Sequence, residues 1–285
     1  MRFEKWQALG NDYLILEAAR LPDGLALTPA RVELLCSPHL GPGGDGVLEL
    51  SPPDEPGYVA RLRIFNPDGS EAELSGNGAR EAILYLRRAG WTDATTFSIQ
   101  TAAGEIRPTI TGPTTCRVDM GRASLRSAGY PSGGPEGHGI VAAGRRDWRF
   151  QHVSIGNPQC AIRVADQDEL ERLDVPAIGP GIERSPLFPR RTNVSFWTEL
   201  DARTIRARIF ERGVGETMSS GTGASGAAVA HVLRGGDSPV RVVLDGGELT
   251  VEVGEDLHVD LTGWAVPLCR GELSAELEAD LAALD

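Results

Sequence analysis

Two serines, Ser75 and Ser220, sit in near-identical turns, Ser75-Gly76-Asn77-Gly78-Ala79 and Ser220-Gly221-Thr222-Gly223-Ala224, and each turn opens into a run of helix-forming residues. A helix N-terminus carries unpaired backbone N–H groups and the positive end of the helix dipole, so each turn is a potential carboxylate cradle that also presents one hydroxyl. Two such turns brought together across a cleft would grip a carboxylate and offer a side chain to each face of one carbon. That suits removal of a proton on one side and its return on the other. A single Gly-rich turn supports less, because by itself it reads as a tight strand-to-helix connection or a phosphate cradle. No lysine follows the glycines as in a Walker loop, and neither turn has the full Gly-x-Gly-x-x-Gly spacing.

The elements that carry the two turns are also repeated. One offset of 145 (220 − 75) aligns the run that begins Arg63-Ile64-Phe65-Asn66 with the run that begins Arg208-Ile209-Phe210-Glu211, without a gap. Gly10-Asn11-Asp12 answers to Gly156-Asn157-Pro158, and Gly104-Glu105-Ile106 to Gly247-Glu248-Leu249. A period this long means two domains and not a solenoid, whose repeats run to roughly 20–50 residues. In each copy an alternating strand (residues 59–65 in the first) leads through a turn-rich segment into a helix, expected over 79–89 and 224–233. Gly90 stands at the position after the first helix where a left-handed conformation suits glycine. The second helix is small and apolar all round, which marks it as buried. The crossover is expected near Arg122, where a Gly-, Pro- and Ser-rich segment begins, dividing the chain into domains 1–121 and 122–285.

Other segments read as a hairpin about Gly10-Asn11-Asp12, a short helix over 31–35, and strands over 96–100 and 105–111. The second half repeats strands over 193–200 and 204–210 and a hairpin on Asp245-Gly246-Gly247. The acidic tail, 274–284, reads as a solvated terminal helix. The fold class is α+β.

The 285 residues are 41% apolar and 24% charged, an ordinary soluble composition with ample material for two cores. A net charge of −12 argues against nucleic-acid binding and against an anionic membrane surface. No signal peptide or spanning run is legible, so a cytoplasmic location is expected. Cys36, Cys116, Cys160 and Cys269 have neither disulfide-framework nor zinc-site spacing and read as small buried residues. The histidines also lack ligand spacing, so no metal is expected, and His231 reads as a hydrogen-bonded core residue. Lys5 is the only lysine, which leaves one residue for a pyridoxal Schiff base. Stereochemical activity is therefore expected without a cofactor.

Taken together, Leu9-Gly10-Asn11-Asp12-Tyr13, Gly41-Pro42-Gly43-Gly44-Asp45-Gly46, Arg63-Ile64-Phe65-Asn66, Gly156-Asn157-Pro158, Thr192-Asn193-Val194, Glu211-Arg212-Gly213 and the two serine turns resemble the diaminopimelate epimerase family over nearly the whole chain. The resemblance implies two pseudo-symmetric domains, each a mostly antiparallel sheet or barrel around a central buried helix, with the active site in the cleft between them. It implies a homodimer acting on a free, dicarboxylic amino acid in lysine and cell-wall precursor synthesis. It places Ser75, Ser220, Glu211 and Gln159 at catalytic positions. Asn11, Asn66, Gly76, Asn77, Asn157, Asn193, Arg212, Gly221 and Thr222 fall at substrate-binding positions, with Arg212 on the distal carboxylate.

Three of these positions depart from the family. Its two catalytic cysteines are Ser75 and Ser220 here, and the histidine after Gly-Asn-Pro is Gln159. A serine hydroxyl is far less acidic than a thiol with pKa ≈ 8.5, so unaided it is a poor base. Three readings stay open: an epimerase of this type with serines at the site, a relative performing another proton transfer or an elimination, and an amino-acid-binding protein without chemistry.

Overall fold

In Ala60-Arg61-Leu62-Arg63-Ile64-Phe65 every second residue is apolar, and Ala60, Leu62 and Ile64 are buried while Arg61 and Arg63 face outward, as one side of a sheet requires. The computed structural model describes residues 1–22, 25–72 and 75–284. Two compact units make up the chain: Met1–Val118 with Gly263–Asp285, and Asp119–Thr262.

The first unit contains β1 (Arg2–Ala8), β2 (Asn11–Glu17), α1 (Pro29–Cys36), β3 (Val47–Ser51), β4 (Ala60–Phe65), β5 (Glu71–Ala72), α2 (Gly76–Arg88), β6 (Ile99–Thr101), β7 (Gly104–Ile106) and β8 (Thr109–Gly112). The chain leaves it within β9 (Thr115–Arg122). The second unit holds β10 (His138–Ala143), β11 (Arg146–Ser154), β12 (Pro158–Arg163), α3 (Gln167–Arg172), α4 (Val175–Glu183), β13 (Asn193–Asp201), β14 (Thr204–Glu211), β15 (Gly215–Thr217), α5 (Gly221–Val232), β16 (Val240–Leu244) and β17 (Gly247–Val253). Within β18 (His258–Trp264) the chain returns to the first unit, which β19 (Val266–Glu272) and α6 (Ala275–Ala283) complete.

The two sheets repeat one topology. In the first the order is β19-β1-β2-β3-β4-β6-β7, antiparallel except at β2–β3 and β4–β6. In the second, β11-β12-β13-β14-β16-β17 follows the same order, parallel only at β12–β13 and β14–β16. A parallel pair needs a long crossover, and α2 and α5 are those crossovers for β4–β6 and β14–β16. The sheets run open from edge to edge and do not close into barrels.

Several expectations are corrected. Both central helices begin three residues earlier than expected, because Ser75 and Ser220 are themselves the caps. Their hydroxyls accept the N–H groups of Gly78 and Gly223, which brings the glycines into the first turn. The strand expected over 105–111 is split: Pro108 has no N–H to continue the ladder, and β8 leaves β7 to pair with β9. The β1–β2 hairpin turns on Leu9 and Gly10, both at positive φ, so Asn11 is already in β2.

The second domain does not extend to residue 285, and the tail is not a solvated appendage. β19 pairs with β1, and Leu273 and Leu281 are buried in the first unit's core beside Leu14, Leu35 and Phe65. Leu273, Leu277 and Leu281 recur every four residues, an apolar stripe that the acidic composition hides. The boundary also falls three residues before Arg122, inside a strand and not in the Gly-rich segment. Gly90 takes φ +79°, and Trp91 N–H reaches the Leu86 carbonyl at 3.0 Å, closing α2 as expected. α5 is buried along its length, and its His231 binds the Ala202 carbonyl at 3.0 Å. Among the described residues no helix is long and apolar enough to cross a membrane.

Candidate active site

In the first unit, Ser75 caps α2 in extended conformation, and its Oγ accepts two hydrogen bonds: from Gly78 N–H at 3.1 Å and from the Tyr13 hydroxyl at 3.1 Å. A hydroxyl has two acceptor lone pairs and one proton, so the Ser75 proton is left to point elsewhere. Beside it, Asn77 is buried and donates to Asn11 Oδ1 at 3.2 Å, and Asn11 donates to Asp45 Oδ2 at 2.9 Å. Arg80, wholly buried, donates to Asn77 Oδ1 at 2.6 Å and to the Gly76 carbonyl at 2.9 Å. Burial pulls its guanidinium below the ordinary arginine value. This network fixes the turn from behind and leaves the Gly76 and Asn77 main chain at the helix start.

The second unit arranges its serine differently. Ser220 caps α5, its Oγ accepts Gly223 N–H at 3.2 Å, and it donates to Glu211 Oε2 at 3.0 Å. Thr217 holds the other oxygen, Glu211 Oε1, at 2.9 Å. Glu211 ends β14 and Thr217 ends β15, so the antiparallel pairing of these strands sets the carboxylate against the serine. Asn157 donates to Thr222 Oγ1 at 3.3 Å and accepts from Gln159 Nε2 at 2.5 Å.

Gln159 is fully buried, and its Oε1 has no hydrogen-bond partner. It packs on the bare face of α5 at Gly226, where a Cβ would lie 2.9 Å from Gln159 Cβ. Gln159 therefore stands behind Asn157, not at an open surface. An amide also neither gains nor loses a proton near neutral pH, so Gln159 cannot serve as a general acid or base.

The remaining binding candidates fall into three groups. Asn193 is buried and its Oδ1 accepts Arg212 N–H at 2.7 Å, while Arg212 is exposed and donates to the Arg190 carbonyl at 3.0 Å. Gly213 N–H is held by buried Glu183 at 3.1 Å, which fixes the loop that carries Arg212. Asn66, just past the end of β4, donates to Ser70 Oγ at 3.0 Å and closes a local turn. Gly221 is buried in the first turn of α5 and Thr222 is half-buried next to it.

Sequence reasoning left Tyr13, Thr217 and Arg80 without roles. The repeat could have pointed to the first, since Tyr13 and Gln159 stand at the same offset, 146 (159 − 13), as the Gly-Asn pairs before them. None of the buried thiols is a ready thiolate: burial pushes Cys36 and Cys116 up to about 12 and raises Cys160 as well. Cys269, expected to be buried, is exposed on β19.

Comparison with known proteins agrees with this architecture. The family model described as diaminopimelate epimerase matches residues 3–126 and 151–266. The chain is 40% identical over 285 residues to diaminopimelate epimerase 2 of Nostoc sp., covering 98% of each chain. To diaminopimelate epimerase of Cupriavidus taiwanensis it is 38% identical over 296 residues, covering 100% of this chain and 99% of the relative. In fold it is similar to the crystal structure of a hydroxyproline epimerase from Agrobacterium vitis, with a TM-score of 0.69 at 17% identity, covering 95% of this chain and 91% of that one. The chain belongs to the diaminopimelate epimerase family.

Proposed function

We propose that this protein is a cofactor-independent isomerase that interconverts LL- and meso-diaminopimelate, with two serines relaying protons in place of two thiols. The observation that carries this reading is the difference between the groups behind the serines: Glu211 at 3.0 Å from Ser220, Tyr13 at 3.1 Å from Ser75. A carboxylate accepts a proton, and a phenol is a far stronger acid than an aliphatic alcohol. Ser220 with Glu211 is suited to removing the α-proton, and Ser75 with Tyr13 to returning one on the opposite face.

In this mechanism both serines act on one substrate. The α-proton passes to Ser220 Oγ as that hydroxyl's own proton moves to Glu211. The electron pair left on the α-carbon spreads into the substrate carboxylate, which lies against main-chain N–H groups at the starts of α2 and α5. Ser75 then gives its proton to the carbon and is refilled from Tyr13, so no free alkoxide accumulates; Glu211 afterwards loses a proton to solvent and the Tyr13 phenolate regains one. Asn11, Asn77, Asn157 and Thr222 orient the reacting end, and Arg212 binds the distal carboxylate. Lys5 lies in an ion pair with Asp12 at 3.1 Å, and the mechanism assigns it no part. The same reading has the protein working in the cytoplasm, as a homodimer, on a free dicarboxylic amino acid.

Gln159 favours a second reading, another proton transfer or an elimination, because it stands where the family has a histidine. Deuterium incorporation at the α-carbon in heavy water, measured over LL- and meso-diaminopimelate and a panel of other amino acids, separates the two. Exchange with inversion of diaminopimelate supports the first. Exchange or elimination on another amino acid alone supports the second, and no exchange on any substrate that binds removes both.

A further inference from the structure

Away from the serine caps, one face of the second unit's sheet forms a cavity of about 740 Å³, a size typical of small-molecule sites. Its floor follows from register. His138, Gln151 and Ala161 stand side by side on β10, β11 and β12; Ile140 pairs with Arg149, and Arg163 with Trp197. Side chains two apart on a strand share a face, so these residues line one surface. Ala230 and Arg234, at and just beyond the end of α5, form the wall. The cavity lies toward the Arg163 end of β12, whereas Gln159 lies toward the other end.

One feature of this cavity is unsatisfied. In a chain of net charge −12 it gathers three arginines, of which only Arg163 has a carboxylate partner, Glu199 at 2.8 Å; Arg149 and Arg234 have none among the described residues. Trp197, 1% exposed, is packed into the lining beside them. Ile140, 56% exposed, adds apolar surface beside them.

We propose that this cavity binds a small organic anion, its acidic group held by Arg149 and Arg234, with a flat apolar body against Ile140 and Ala230. Arginine recognises planar oxyanions through paired N–H groups. The site belongs to the second unit alone and does not depend on the reaction proposed above.

The test follows the Trp197 indole cross-peak in ¹⁵N-labelled full-length protein, assigned by its loss in Trp197→Phe, during titration with benzoate, phenylphosphonate and neutral benzamide. A saturable shift is expected with the two anions and not with benzamide. The double variant Arg149→Ala/Arg234→Ala, which changes exposed residues, should weaken the response by about tenfold or more. No saturable shift with either anion, an equal response to benzamide, or an unchanged response in the double variant would overturn the proposal.

Discussion

Ser220 Oγ gives its proton to Glu211 Oε2 at 3.0 Å, whereas Ser75 Oγ receives one from Tyr13. The same turn, duplicated in the chain, thus carries opposite hydrogen-bond polarity in its two copies. The repeat explains how: Glu211 stands where the first copy has Asn66, and Tyr13 where the second has Gln159.

Removing the acceptor should disable proton abstraction. Glu211→Gln keeps the shape and Thr217 as a partner but loses basicity, and α-proton exchange should fall by about 100-fold or more. Because equilibrium fixes the ratio of forward to reverse kcat/KM, both directions must slow together. Initial rates from each epimer check this, and unchanged exchange would show that Glu211 is not the base.

Tyr13→Phe removes the donor to Ser75 while leaving the ring's packing. The expected loss is in kcat, by roughly tenfold to 100-fold, with KM nearly unchanged, since no substrate-binding group is altered. A rise in KM alone would make Tyr13 a structural residue.

Installing thiols tests the acidity argument directly. Ser75→Cys with Ser220→Cys supplies groups with pKa ≈ 8.5, and the exchange rate should rise by about 100-fold. Each substitution also loses a hydroxyl cap, so the double variant should be less stable by about 1 kcal/mol per helix. Denaturant midpoints and exchange kinetics on one preparation separate the two effects.

Gly226→Ala places a methyl 2.9 Å from Gln159 Cβ and 3.0 Å from its Cγ. The side chain must move, and with it the hydrogen bond to Asn157. A stability loss of about 1–3 kcal/mol is expected together with a raised KM. Gly134→Ala, where nothing lies within 4 Å, is the control and should match the parent.

Glu81 supplies a pH dependence. It is fully buried on α2, and burial raises it well above the ordinary value of 4.5. The unfolded chain ionises first as pH rises. Stability is therefore full below the unfolded value and is lost as pH climbs toward the folded one. Glu81→Met should raise the melting temperature more at about pH 8 than at about pH 4. An equal shift at both values would mean that the carboxyl is not held neutral.

Much of this was legible in the residues alone. The 145-residue offset established the duplication, and the Ser-Gly-X-Gly-Ala turns located both helix starts to within three residues. The apolar run of α5 marked it as buried, because local patterning and turn chemistry act over a few residues and leave a direct trace. What each serine faces depends on residues far away in the chain: Tyr13 is 62 positions from Ser75 and meets it only because β2 lies beside the start of α2. Likewise, the stripe of Leu273, Leu277 and Leu281 acquires a partner only when β19 adds to β1. Composition and periodicity record which faces are apolar, but which face meets which, and which way a shared proton points, is decided by sheet pairing and packing in the folded chain.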